Sequence, residues 1–340
     1  MRRVDNPKNR FERTQLEWVE EPPPHAGLEV HEERPKSILS ENDSPDIGFR
    51  YSLNPYRGCY HACAYCYARP SHQYWGFGAG TDFERKIIVK VTAPELLRER
   101  FERSDWRGEL IVFSGNTDCY QPLEAAHTLT RRCLEVCAEY KNPVSIITKN
   151  ALVARDVDVL CRLREVAQLR VYISLPFADP AHARALEPGA SPPPRRLAAM
   201  QALSRAGIET GIAIAPLIVG LNDGQLSELL ERASQAGARH AFLTALRLPG
   251  EVKEVFESRL REALPGYADK VMSGIFQIRR GKLNESEFGK RMQGQGPRWQ
   301  VVEDLFELQC KRLGIQTTRT GMDMPVANTF ERPRGQLTLF

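Results

Sequence analysis

ELIVFSGNTDCYQPLEAAHTLTRRCLEVCAEYKNPVSIITK, residues 109–149, contains the unit from which the architecture follows. An apolar, β-branched run (109–115) is followed by a segment with helical spacing (122–140) and a second apolar run (143–149). Strand, helix and strand of these lengths form a βα unit and point to a parallel sheet. Both runs are almost continuously apolar, as expected of strands that helices cover or that enclose a barrel. The alternation continues at LRVYISL (169–175), IETGIAIAP (208–216) and ARHAFLTAL (238–246), with helical spacing at 151–166, 192–206 and 223–236. A first strand at 50–56 brings the count to six strand–helix units, short of an eightfold barrel. The sequence thus predicts an α/β fold, a partial (β/α)6 TIM-type barrel over 46–250. Upstream, 1–45 lack periodicity, carry Pro22-Pro23-Pro24 and read as an N-terminal extension, a loop or partly ordered arm. Past Pro249-Gly250 the alternation stops. Residues 251–330 read as a mainly helical C-terminal extension, with helices at 252–263 and 299–312 around a polar, Gly-rich segment, 277–298. Residues 313–340 offer no regular element, and 331–340 read as a flexible tail.

Composition narrows the class. The chain has 340 residues, 42% hydrophobic and 26% charged, with eight cysteines. These are the proportions of a globular protein able to bury a core. No run approaches the ~18 apolar residues of a membrane span, and MRRVDNPKNRFERTQLEW lacks the apolar stretch of a secretory signal. A cytoplasmic protein without membrane contact is expected. Cysteine is too sparse for a secreted disulfide scaffold, which leaves thiols that are reduced, metal-bound or catalytic. The 47 basic and 43 acidic residues nearly balance, so net charge alone does not indicate nucleic acid.

Three of the cysteines stand together in NPYRGCYHACAYCYAR (54–69), spaced CxxxCxxC. Cys59, Cys63 and Cys66, on a loop after a strand, can hold three irons of a cubane cluster. The fourth iron, without a protein ligand, could chelate a small molecule through an amine and a carboxylate. The alternative is a zinc site, for which His61 or His72 would supply the fourth ligand. The motif, at the end of the first strand of a βα barrel, resembles the radical S-adenosylmethionine (SAM) superfamily, with Tyr65 as the aromatic before the third cysteine. The resemblance spans about 50–250. It implies a [4Fe–4S] cluster that, reduced by an external donor such as flavodoxin, cleaves SAM to methionine and a 5′-deoxyadenosyl radical.

Further stretches look like the spore photoproduct lyase and DNA repair photolyase-like group: SGNTDCYQPLE (114–124), ITKN (147–150), YISLPF (172–177), LEPGA (186–190) with PPRRL (193–197), and IAPLIVGLND (214–223). All lie at the carboxyl ends of expected strands, where barrels place their sites. By this resemblance Thr117 and Asp118 border SAM, Lys149 lies near its carboxylate, Ser174 bonds the ribose and 211–216 face the adenine. Arg196 also contacts SAM, and Tyr67 matches a tyrosine that follows the cluster. The plainer readings are a helix cap for Asp118, a solvated strand end for Lys149 and a surface position for Arg196. The group's hydrogen-donating cysteine falls on Gly115 here, and the nearest thiol is Cys119, either a donor or second-layer thiol or a packed one. Cys133, Cys137, Cys161 and Cys310 read as packing thiols.

Two features point toward nucleic acid. QIRRGKLNESEFGKRMQGQGPRWQ (277–300) sets Arg279, Arg280, Lys282, Lys290, Arg291 and Arg298 against Glu285 and Glu287 and interleaves Phe288 and Trp299, the composition of a phosphate-contacting loop with stacking groups, the plainer reading being a solvated charged face. The terminal Gln336-Leu337-Thr338-Leu339-Phe340 resembles the QL(S/D)LF peptide with which bacterial repair proteins dock on the sliding clamp. The function expected is a radical SAM enzyme acting on damaged or modified nucleic acid. Alternatives are the same chemistry on another substrate and a metal-bearing DNA-clamp adaptor without catalysis.

Overall fold

The computed structural model describes residues 27–318 and 327–333. Its main sheet has eight strands: β2 (Leu39–Glu41), β3 (Tyr51–Leu53), β6 (Ile111–Phe113), β7 (Val144–Thr148), β8 (Leu169–Ser174), β9 (Glu209–Leu217), β10 (His240–Ala245) and β11 (Gln316–Thr317). From β3 to β10 the strands lie in chain order and every pair is parallel. This is the expected six-stranded partial barrel.

The helices cover it by their spacing. Leu226–Gln235, for example, buries Leu226, Leu229, Leu230 and Ala233, one apolar stripe at i, i+3, i+4 and i+7. The main core lies between strands and helices, built on residues such as Ile146, Val171, Leu163 and Leu230. Val112, Tyr172, Ala213 and Phe242 fill the inner face of the sheet.

The termini do more than their composition suggests. Within the expected arm, β1 (Glu29–Glu33) pairs parallel with β5 (Lys86–Lys90), which also pairs with β4 (Tyr56–Arg57) in a three-stranded side sheet. β2 closes one edge of the main sheet antiparallel to β3, and β11 extends the other, parallel to β10. Residues 27–45 and 313–318 are therefore structural, and the strand read at 50–56 divides between two sheets. The segment 328–332 is also tied down: Phe330 packs on Phe101 and Tyr140, and the Arg332 guanidinium donates to the Phe101 carbonyl at 2.9 Å. Chain anchoring thus extends past the boundary drawn at 330. The extension holds a helix absent from the sequence reading, Pro265–Ile278, between Val252–Ala263 and Pro297–Leu313. No helix among the described residues is long and apolar enough to cross a membrane.

Candidate active site

The cysteine loop leaves β3 and β4 through two left-handed residues, Gly58 and Ala62. Neighbouring loops pin its backbone. Cys59 N donates to Phe83 O at 2.9 Å, Ala64 N to Leu186 O at 2.9 Å and Gly189 N to His61 O at 3.0 Å. A Cβ on Gly189 would lie 2.1 Å from the Tyr60 carbonyl oxygen, so the LEPGA segment can approach this closely only with glycine there.

The three thiols line one cavity of about 290 Å³, with Cys59 and Cys63 buried and Cys66 partly so. Burial pushes the Cys63 thiol well up, Glu187 adding to it, and burial takes Cys66 up to about 11. Such thiols ionise against compensating positive charge, which bound iron supplies. Among the described residues no three His, Cys, Asp or Glu side chains gather as ligands of one ion. A zinc site would bring its thiolates within about twice the ~2.3 Å Zn–S distance of one another. Thiols that each bind a separate iron of a cubane have no such need. His61 faces Asp118 Oδ2 through Nδ1 (3.4 Å) and Asn150 through Nε2 (3.2 Å), while His72 packs against Phe77 and Phe83. The donor set fits a three-cysteine iron–sulfur cluster.

The wall beside the thiols comes from the ends of β6, β7 and β8. Asp118 accepts from Thr148 Oγ1 (2.7 Å), Lys149 N (2.7 Å) and Tyr120 N (2.9 Å). Burial opposes its charge, but His61 and these donors hold the carboxyl down at about 2. Burial likewise opposes the His61 imidazolium, yet Cys59 and Asp118 carry it up to about 10. Lys149 Nζ donates to Ser174 Oγ at 2.8 Å and reaches the Ala215 carbonyl at 3.4 Å. Thr117 Oγ1 donates to Tyr56 O at 2.9 Å, and the half-exposed Tyr67 donates to Gly115 O at 2.8 Å. Cys59, Cys63, Cys66, Tyr65, Tyr67, Thr117, Asp118, Lys149 and Ser174 therefore share one cavity. Asp118 caps no helix; its bonds tie the Asn116–Tyr120 turn to the end of β7.

Two expected residues lie elsewhere. Arg196 is buried and engaged through all three nitrogens: it donates to Ser191 O (2.6 Å), Ser174 O (2.9 Å) and the Glu187 carboxylate, and it does not line the cavity. Its place is behind the wall, supporting Ser174, and neither SAM contact nor the surface describes it. Cys119 is fully buried in the main core, also off the cavity wall, and burial pushes its thiol well up. Packing alone accounts for it. The departure at Gly115 has a steric basis, since a Cβ there would lie 2.5 Å from Ser52 Cβ.

Sequence reasoning missed Glu187. It accepts from Tyr65 Oη and Arg196 and lies 3.9 Å from Lys149 Nζ. Burial opposes its charge, but Arg196 and Lys149 hold the carboxyl below its ordinary range. The LEPGA segment was the available signal. Arg247, after β10, also lines the cavity, with no signal beyond its place at a strand end.

A family model described as the radical SAM superfamily matches residues 53–233. An uncharacterised protein of Mycobacterium bovis is 35% identical over 246 residues, 72% of each chain. Another, from Methanocaldococcus jannaschii, is 27% identical over 196 residues, 58% of this chain and 70% of that one. Among solved structures, spore photoproduct lyase complexed with dinucleoside spore photoproduct shares the fold with a TM-score of 0.62 at 17% identity, over 85% of this chain and 81% of that one. A mutant of that lyase with bound AdoMet and the dinucleoside gives 0.63 at 18%, with the same coverage. The matched span takes in the three thiols and the Asp118–Lys149–Ser174 wall, and with them the chain belongs to the radical SAM superfamily, whose cofactors are a [4Fe–4S] cluster and SAM.

Proposed function

We propose that this radical SAM enzyme acts on damaged or modified nucleic acid. The cluster on Cys59, Cys63 and Cys66, together with SAM, supplies when bound a 5′-deoxyadenosyl radical for hydrogen abstraction. The other residues hold and shield. Lys149, oriented by Ser174 and Glu187, offers its ammonium to the carboxylate of SAM. Asp118, its acceptor capacity taken up by Thr148, Lys149, Tyr120 and His61, fixes the backbone that carries Lys149. Ile47, Phe49 and Tyr67 line the cavity and limit water around the reacting groups.

The observation that carries the substrate class is the border of the cavity. The loop after Pro265–Ile278 contributes Met292 to the wall, and on the same loop Arg280, Lys282 and Phe288 are exposed. Two basic groups and an aromatic ring thus lie on a loop that reaches the opening, beside Glu285 and Glu287, a combination that can meet a polyanion bearing bases. The segment is smaller than its composition implies. Trp299 is buried in the core and unavailable for stacking, Arg279 holds four loop carbonyls and Arg291 pairs with Asp46. The lyase complex with a dinucleoside photoproduct supports the same class.

Incubating the reduced enzyme and labelled SAM with ultraviolet-irradiated, oxidised or alkylated oligonucleotides tests the reading. Lesion-dependent conversion is expected, and none above undamaged controls overturns it. The reading also includes an external electron donor of the flavodoxin type and docking on a sliding clamp through Gln336, Leu337, Leu339 and Phe340, which lie outside the described residues. Deleting 336–340 should abolish clamp pull-down while SAM cleavage persists; retained binding removes the docking role.

A further inference from the structure

Four of the charged side chains that line the cavity are matched within the chain. His61 faces Asp118, Lys149 lies by Glu187, and Asp46 takes Arg291 (2.6 Å) and the amide of Gly289 (2.5 Å). Arg247 is different. Among the described residues no carboxylate pairs with it, and its one hydrogen-bond partner is the Met292 sulfur, at 3.6 Å. Its Nε is buried with no acceptor, and its guanidinium lies 5.9 Å from the centre of the half-exposed Tyr67 ring. Burial and the nearby Arg291 pull this guanidinium below its usual range, and Tyr67 and Asp46, neither of them bonded to it, offset this only in part. A buried or half-buried charge is costly unless paired and hydrogen-bonded, so the cavity is short of one negative group at this point.

We infer that Arg247 binds a phosphodiester of the nucleic-acid substrate at the cavity mouth, with an adjoining base against Tyr67. The inference rests on the substrate class proposed above. The planar fork of arginine matches phosphate through two parallel hydrogen bonds, which lysine cannot do. Tyr67 adds an aromatic face beside the anion site, the pairing by which nucleotides are held without regard to sequence. Arg291 cannot substitute, because Asp46 and Ser44 hold its guanidinium. Asp46 is equally committed, to Arg291 and the Gly289 amide, so among the described residues no carboxylate pairs directly with Arg247. Arg247 is a substrate-binding residue.

Equilibrium binding of a short fluorescein-labelled oligothymidylate to the reconstituted holoenzyme, by anisotropy over a range of salt, tests this. Arg247→Gln should weaken binding about tenfold or more, the scale of one lost charge-assisted contact. It should also flatten the logarithmic salt dependence by about 0.7, the value for one single-strand phosphate. Arg247→Lys, which keeps the charge without the fork, should restore the slope and only part of the affinity. Iron content and melting temperature report that each variant is folded. If wild type binds and Arg247→Gln matches it in affinity and slope, the inference is overturned and the nucleic-acid reading stands. If wild type does not bind the oligonucleotide at all, the inference falls, while the nucleic-acid reading is decided separately by lesion-dependent conversion.

Discussion

Glu187 shows how a side chain off the cavity surface governs those on it. It is buried, and Tyr65, Arg196 and Lys149 converge on its carboxylate. Removing one partner of a buried ion pair leaves the other uncompensated, typically at about 3–5 kcal/mol. Glu187→Gln should therefore destabilise the protein by about that much in denaturant unfolding. The double variant Glu187→Gln/Arg196→Met should cost less than the sum of the singles, as coupled sites do. Cys119 makes the opposite case. Lying in the core and off the cavity wall, it should tolerate Cys119→Ala at about 1 kcal/mol of stability, with 5′-deoxyadenosine formation and product distribution unchanged in a reduced-enzyme assay. His72 gives a pH signature. Burial among Phe77 and Phe83 lowers its pKa from 6.5 to about 4, so the unfolded chain takes the proton first as pH falls. Its contribution is complete above about 6.5 and disappears toward about 4, with a span of about 3 kcal/mol. Unfolding midpoints of wild type should fall through that window, and those of His72→Phe should fall less.

At the scale of elements, the strand ends carry the site, and these were the legible part. The runs at 109–115, 143–149, 169–175, 208–216 and 238–246 contain β6 to β10, because strands buried on both faces need unbroken apolar sequence. β5 and the helix Ala93–Glu102 escaped notice, although Ile87, Ile88 and Val89 form a short apolar run and Leu97 and Phe101 stand at helical spacing. The helix Pro265–Ile278 begins at a Pro-Gly pair that looks like a turn, although proline is well tolerated in a first helical turn, where no intrahelical N–H bond is needed. Of the site, the cysteines, Asp118, Lys149 and Ser174 were legible from motif and resemblance. Glu187 was not, and Arg196 was read in another role, since their mutual pairing depends on a close approach between two loops that spacing does not encode. Gly189 makes that approach possible. Gly189→Ala should displace the cysteine loop, lowering iron per chain after reconstitution; full iron content would show that the loop accommodates the methyl group.

Over the whole molecule, segments far apart in the chain meet at the mouth of the cavity. Asp46, just before β3, joins Arg291 and Gly289 of the loop after Pro265–Ile278, and Asp46 and Met292 both line the opening. The open side of the partial barrel is thus bordered by a segment just before β3 and by the loop after Pro265–Ile278, which helps to keep water from a reactive cavity. On this reading the three-thiol cavity, once loaded, generates a radical from SAM. The most direct test is anaerobic reconstitution followed by reduction with SAM present, measuring iron and 5′-deoxyadenosine in wild type and in Cys63→Ala. About four irons per chain and 5′-deoxyadenosine release by wild type, both lost in Cys63→Ala, are the outcome this account predicts. Wild-type protein that binds zinc instead and releases no 5′-deoxyadenosine would contradict it.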